Sequence, residues 1–225
     1  MSKKIYLSPS NQNGNLYAYG GTNEMEQCNR IAEAAKTALE RCGFTVKKAP
    51  EGQSMSDSIH ESNTWGADLH IPIHTNAGGG SGTVVFVYSK SIGNMDIAVP
   101  VYNAVQAVTP GKTDYGVREY PALAELNSTN ATAVYIEADF HDNKTIAKWL
   151  TENTVTVGEA IAKGVCEGYG VKYVPKKSSS PQTKAGVFYR IQVGAFSDKR
   201  NAAAFLIKVR NAGFTNAFIT EVSAK

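Results

Sequence analysis

The chain is expected to be an α/β protein: a mainly parallel, twisted sheet with helices on both faces, plus a small C-terminal β-α-β module of α+β type. Three observations carry that expectation. Across residues 1–173, short apolar runs alternate with segments whose apolar residues recur every three and four positions. Several of the short runs are apolar throughout, the pattern of strands covered on both faces. A Ser-, Pro- and Lys-rich stretch without apolar periodicity, residues 174–186, then reads as a solvated linker ahead of a tail at 187–225.

The elements follow in order. Lys4-Ile-Tyr-Leu-Ser8 is a short strand that ends at the turn Pro-Ser-Asn-Gln-Asn-Gly. Asn23 to Cys42 is helical: Ile31, Ala34, Ala35, Ala38, Leu39 and Cys42 share one face, Asn23 and Glu26 form a capping box, and Gly43 closes the end. Phe44–Lys48 reads as a strand, Ser56–Trp65 as a helix, Ala67–His74 as a strand and Gly82–Tyr88 as a strongly β-branched strand. Asp96–Val108 is helical, Ala131–Glu137 is a strand, and Asn143–Gly168 is one long final helix. In the tail, Phe188–Phe196, Ser197–Ala212 and Gly213–Val222 read as strand, helix and strand, with Ser197 as N-cap. So short a unit buries little of its own surface and calls for a partner.

Composition narrows the class. A hydrophobic content of 42% with 19% charged residues is ordinary for a globular protein, and a net charge of +3 is too small to argue for nucleic acid. No run is long enough to span a bilayer, so no membrane partner is expected. Cys28, Cys42 and Cys166 are odd in number and show no close pairing, which fits buried, reduced thiols better than a disulfide framework. The basic residues near Met1 run straight into a strand, with no apolar core or cleavage site. Synthesis in the cytoplasm without a signal peptide is the expectation, with any action on the cell wall following release.

Candidate chemistry gathers at strand ends and helix starts, where α/β sheets form their sites. The positions are the turn Ser8-Pro-Ser-Asn11-Gln12, the helix start Glu24-Met-Glu26, His74 at the end of Ile71-Pro-Ile-His74, and Glu137 at the end of another strand, in Ile136-Glu-Ala-Asp-Phe-His141. A hydrolytic zinc site needs about three nitrogen or oxygen ligands, an open position for water and a carboxylate to move protons. Each residue also has a plainer reading. Glu24 and Glu26 suit the positive end of a helix dipole, His74 could bond to backbone, and Glu137 could be an exposed strand end. His70 lies about 13 Å from His74 along one strand, so the two cannot share an ion and His70 reads as structural. His60 reads as a surface histidine on a helix.

The order of these features resembles the zinc-dependent N-acetylmuramoyl-L-alanine amidases of the Amidase_3 type, over most of residues 3–170. Ala67-Asp-Leu-His-Ile-Pro-Ile-His-Thr-Asn-Ala77 is similar to that family's "aspartate, apolar strand, His-x-Asn-Ala" signature, and Ile136-Glu-Ala-Asp-Phe140 to its catalytic strand. Glu24 falls where the family places a glutamate ligand. The family's first turn, Asp-Pro-Gly-His-Gly, reads here Ser8-Pro-Ser-Asn11-Gln12, so its histidine ligand is missing. His141, four residues beyond Glu137, is the leading replacement, because imidazole suits zinc better than an amide does. Asn11 or Gln12 is the alternative.

The resemblance implies a division of roles. Glu24, His74 and His141 hold Zn2+, Glu137 is the catalytic base and acid, and Asn76, Arg118 and Gln12 meet substrate. The bond cut would join the lactyl group of N-acetylmuramic acid to L-alanine of the stem peptide. The tail, through Tyr189-Arg-Ile-Gln-Val-Gly-Ala-Phe-Ser197 and Ala212-Gly-Phe214, resembles half of a SPOR domain, a glycan-associated module. A half module implies a homodimer through residues 187–225. Peptidoglycan is then the partner, and a phage endolysin or an autolysin the setting. The competing expectations are a catalytically weak wall-binding protein that kept the fold and, with little support, a nucleotide-binding domain. Gly78-Gly-Gly-Ser-Gly82 precedes a strand rather than a helix, unlike a phosphate loop.

Overall fold

A computed structural model describes residues 2–176, 191–214 and 217–221. It divides into two units, residues 1–176 and 177–225. In the first, the strands β1 (Lys4–Pro9), β2 (Thr45–Lys48), β3 (Leu69–Asn76), β4 (Val84–Val87), β5 (Val117–Glu119), β6 (Thr132–Ala133) and β7 (Tyr135–Phe140) form one sheet. Its order is β2-β1-β3-β7-β4-β5, with β6 also on β3. All pairings are parallel except β4 with β7. The exception has a simple cause: the few residues between β3 and β4 leave no room for a crossover helix, so the chain reverses.

The sheet has two unlike faces. Ile5 and Leu7, then Leu69, Ile71 and Ile73, with Val85, Val87, Ile136 and Ala138, point to one side and are fully buried. They pack under α1 (Glu24–Arg41), α3 (Ile92–Val108), α5 (Lys144–Glu152) and α6 (Thr154–Gly168). The alternate residues Tyr6, Ser8, His70, His74, Tyr135 and Glu137 point to the other side. There α2 (Met55–Trp65) lies near β1, and the short α4 (Ala124–Asn127) adds Leu126 to a small cluster with Ala133 and Tyr135.

Caps fall mostly where the sequence places them. Asn23 Oδ1 accepts from Glu26 N at 2.9 Å, while the Glu26 side chain takes the Thr22 hydroxyl instead of closing the box. Gly43 takes a positive φ after α1. Three differences are local. Asn153 splits the expected long helix into α5 and α6, its side-chain amide donating to Trp149 O at 2.8 Å. The third helix starts four residues early, at Ile92, whose side chain is exposed and takes no part in the core face. Strand β5 and helix α4 are too short to set up a period.

In the second unit α7 (Lys199–Asn211) is capped by Asp198, which accepts from Arg200 N at 2.7 Å, rather than by Ser197. The flanking strands expected at 188–196 and 213–222 are not formed at 191–196 or 217–221, and the remainder of each lies partly outside the described residues, as does most of the expected linker. Cys28, Cys42 and Cys166 are free thiols. Among the described residues no helix is long and apolar enough to cross a membrane.

Helix α6 sits close to its neighbours because of its glycines. A Cβ on Gly158 would lie 2.6 Å from Ala34 Cβ and 2.7 Å from Ala35 N, and one on Gly164 would lie 2.5 Å from Val101 Cα. Gly158→Val should therefore lower the urea midpoint, by about 1–3 kcal/mol of overpacking or more, while Gly14→Ala, with open space around it, should not.

Candidate active site

The site lies at the C-terminal ends of β1, β3 and β7, on the polar face. Parallel pairing in register sets it: His74 stands beside Glu137 across β3 and β7. Glu24 enters from α1, whose N-terminus sits at the same edge. As the first helical residue it is only 1% exposed, and the helix dipole favours its charge.

His74 Nδ1 lies 2.7 Å from Glu24 Oε1. The other Glu24 oxygen accepts from Asn15 Nδ2 at 2.7 Å, and that amide also reaches Gln12 Oε1 at 2.5 Å. The His74 ring stacks on Tyr135, with centroids 4.6 Å apart. Glu137 is half-buried beside this pair, and its Oε2, itself buried, has no hydrogen-bond partner among the described residues.

The charges order themselves accordingly. Burial would raise the Glu24 carboxyl, but the hydrogen bond and charge of His74 outweigh it and hold Glu24 below the usual carboxylate range. Burial would lower His74, and its bond to Glu24 with the charges of Glu137 and Glu24 raises it instead. Glu137 is pushed up to about 7 by burial, with His74 opposing and Glu24 reinforcing the shift. A carboxyl that exchanges its proton near neutrality, next to an ion pair, has the properties of a general base and acid.

The other expected site residues fall into three groups. Gln12 reaches the pair through Asn15, whereas the Asn11 amide turns away to donate to Gln53 O at 3.1 Å. Asn76 ends β3, its Oδ1 accepting from Ala77 N. Arg118 is exposed on β5, bonds to Tyr115 O and stacks over the Tyr115 ring, apart from this cluster.

His141 makes contacts of its own. Its Nδ1 lies 2.9 Å from Thr75 O and 3.0 Å from Thr75 Oγ1, and its ring stacks on Tyr17 at 5.1 Å. Thr75 follows His74 along the strand and points to the opposite face, so His141 is held beneath the sheet edge and not beside Glu24 and His74. Among the described residues no three His, Cys, Asp or Glu side chains stand together as a metal cage. Two donors suited to zinc, Glu24 and His74, do converge, and the unpartnered Glu137 oxygen beside them fits a water held at such an ion. His70 is structural, its ring nitrogens meeting Ser62 Oγ at 3.0 Å and Glu125 Oε1 at 3.2 Å. Sequence reasoning missed Asn15 and Tyr135. Asn15 carries no pattern, and Tyr135 reads as one more apolar strand residue.

Comparison with known proteins gives the family. The N-acetylmuramoyl-L-alanine amidase family Amidase_3 matches residues 9–167, and the SPOR domain matches 170–224. The chain is 27% identical to the sporulation-specific N-acetylmuramoyl-L-alanine amidase of Bacillus subtilis, covering 94% of this chain and 82% of that one. It is also 27% identical to N-acetylmuramoyl-L-alanine amidase CwlM of Bacillus licheniformis, over 72% of this chain and 60% of that protein. Among solved structures, the catalytic domain of CwlV, an amidase from Bacillus (Paenibacillus) polymyxa, superposes with a TM-score of 0.67 at 18% identity, over 76% of this chain and 99% of that one. The catalytic domain of the CD27L endolysin, which targets Clostridium difficile, gives 0.60 at 26% identity, over 72% and 96%. With the polar sheet edge and its Glu24–His74–Glu137 cluster, these matches show that the chain belongs to the N-acetylmuramoyl-L-alanine amidase family.

Proposed function

We propose that Glu24, His74 and Glu137 are the working centre of a zinc-dependent amidase that cuts the bond between the lactyl group of N-acetylmuramic acid and L-alanine of the stem peptide. The observation that carries this reading is the buried, unpartnered carboxylate oxygen of Glu137 beside the Glu24–His74 pair. Glu24 and His74 would hold the metal, and Gln12, linked to Glu24 through Asn15, is the side chain of the first turn best connected to them. Zinc bound there would polarise the scissile carbonyl and acidify a water. Glu137 takes the proton of the attacking water and returns it to the leaving amine of L-alanine.

The tail holds the enzyme on the glycan strand. We propose further that two copies of it pair. In the tail Ile191, Val193, Phe196, Ile207, Phe214 and Phe218 are all exposed, more apolar surface than a lone unit of this size leaves in water.

The alternative of a wall-binding protein with a weak centre draws on Asn11 standing where the family has histidine. Metal analysis of the purified chain separates the two: about one zinc per chain supports the enzyme, and none supports the binder. For the enzyme, chelation should abolish release of new L-alanine amino termini from purified walls. Glu137→Gln should reduce that release by about a hundredfold or more with zinc content and fold retained. Retained activity in Glu137→Gln would remove this residue from the mechanism.

The buried acid also predicts a pH effect on the metal-free protein. A carboxyl moved from 4.5 to about 7 keeps its proton in the folded state where the unfolded chain has lost it. Its favourable contribution is complete below pH 4.5 and is lost as pH rises through about 7, a change of about 3 kcal/mol. Glu137→Gln, neutral throughout, should match the parent protein in urea unfolding at pH 4.5 and exceed it at pH 8. For the tail, sedimentation equilibrium of the full chain at micromolar concentration should give twice the chain mass. A monomer with the tail helix folded would rule out pairing.

A further inference from the structure

Next to the catalytic cluster a pocket of about 210 Å³ opens on the polar face, with His74 and Tyr135 in its wall. It is smaller than the roughly 300–1,000 Å³ of sites that hold a whole small ligand, so it suits a single ring or side chain. Its far side is formed by Ser8, Asn11, Gln53, Met55 and Glu125. No lysine or arginine lines it.

Glu125 sets the chemistry. It is 4% exposed, and both of its hydrogen bonds fall on one oxygen: Oε1 accepts from Ser8 Oγ at 2.5 Å and lies 3.2 Å from His70 Nε2. Among the described residues Oε2 has no partner and is not fully enclosed, and Glu125 is one of the residues that line the pocket. An acceptor left open in a largely buried wall favours a ligand that brings a donor, because an unmade bond there costs about 1–3 kcal/mol. A buried carboxylate on that wall, with no lysine or arginine in the lining to receive a second anion, disfavours another carboxylate beside it. The stem peptide's acidic groups are thus poor occupants. The rest of the wall mixes neutral amides and hydroxyls with the flat apolar surfaces of Pro9, Met55 and Tyr135. That combination matches a pyranose ring, with its edge of hydroxyl and acetamido groups and its C–H faces.

We infer that this pocket is the subsite for an N-acetylhexosamine ring of the glycan strand, and that Glu125 reads the ring by accepting an O–H or acetamido N–H on Oε2. The inference rests on the amidase reading and assigns the sugar side of the substrate to one named wall. It makes Glu125 a specificity-determining residue, apart from the proton chemistry of Glu137.

Methyl NMR of the full chain labelled at its methionines tests the subsite without turnover. Di-N-acetylchitobiose should shift the Met55 methyl resonance, and the free tripeptide L-alanyl-D-isoglutaminyl-L-lysine should not. In Glu125→Ala the Met55 response to the disaccharide should weaken about tenfold. With zinc-loaded enzyme and a soluble disaccharide-tripeptide substrate, Glu125→Ala should raise KM about tenfold with kcat within about threefold. Competitive inhibition by chitobiose should fade in parallel, and sugar bound to the tail does not compete. Should Glu125→Ala misfold, Met55→Trp at the exposed rim should block the pocket and give the same loss. A silent Met55 methyl, a preference for the peptide, or equal loss for both probes would overturn the subsite. If the wild-type chain fails to cleave walls while Met55 still answers to sugar, the amidase reading falls and the subsite stands.

Discussion

A carboxylate and an imidazole meeting at 2.7 Å inside the protein, Glu24 and His74, govern how the rest of the site is built. Burying two such groups carries a desolvation cost of several kcal/mol per ion, which their attraction offsets only with good geometry and further hydrogen bonds. The chain supplies both. Glu24 sits at the positive end of α1, Asn15 satisfies its second oxygen, and Tyr135 stacks on the His74 ring. Glu137 is the group that these partners do not satisfy. Burial beside a compensated pair pushes it up to about 7, so the same arrangement that stabilises the pair tunes Glu137.

That placement depends on the sheet having two different faces. Ile71 and Ile73 point into the aliphatic core while His70 and His74, interleaved with them, point the other way. A one-residue slip of β3 would drive both histidines into the apolar core and expose both isoleucines, so the hydrophobic face locks the register that delivers His74 to Glu137. The core therefore sets the His74–Glu137 pairing through register. Gly158 and Gly164 act at one further remove, by letting α6 close tightly on α1 and α3 above that face.

The sequence made the frame readable wherever local chemistry and the global fold agree. The α1 cap at Asn23, the strand carrying His74 and the strand carrying Glu137 all follow from periodicity and turn residues, and the structure forms each one. What it hid are features with no period. The antiparallel direction of β4 follows from a short connection and leaves no mark in its own residues. Glu125 lies in Pro121-Ala-Leu-Ala-Glu-Leu126, where a single acid among small apolar residues is the only hint that a charge is being buried. In the tail, residues 191–196 read as a strand from their β-branched and aromatic content. Strand propensity is realised only against a neighbouring strand, and none is present there among the described residues.

His141 shows what spacing alone does not reveal. Four residues past Glu137, it would share that face if β7 continued, but the strand ends at Phe140 and the register with β3 shifts between His74 and Asn76. The chain turns there, and the imidazole passes beneath the edge. Its backbone N–H bonds to Asn76 O at 2.8 Å, its carbonyl accepts from Ala18 N at 3.0 Å, and its ring lies between Tyr17 and Thr75. Those contacts tie the loop after β1 and the loop after β7 to the last turn of β3. Thr75 in turn presents its N–H toward Glu24 Oε1 at 3.4 Å. His141 thus holds in place the stretch of backbone that carries His74.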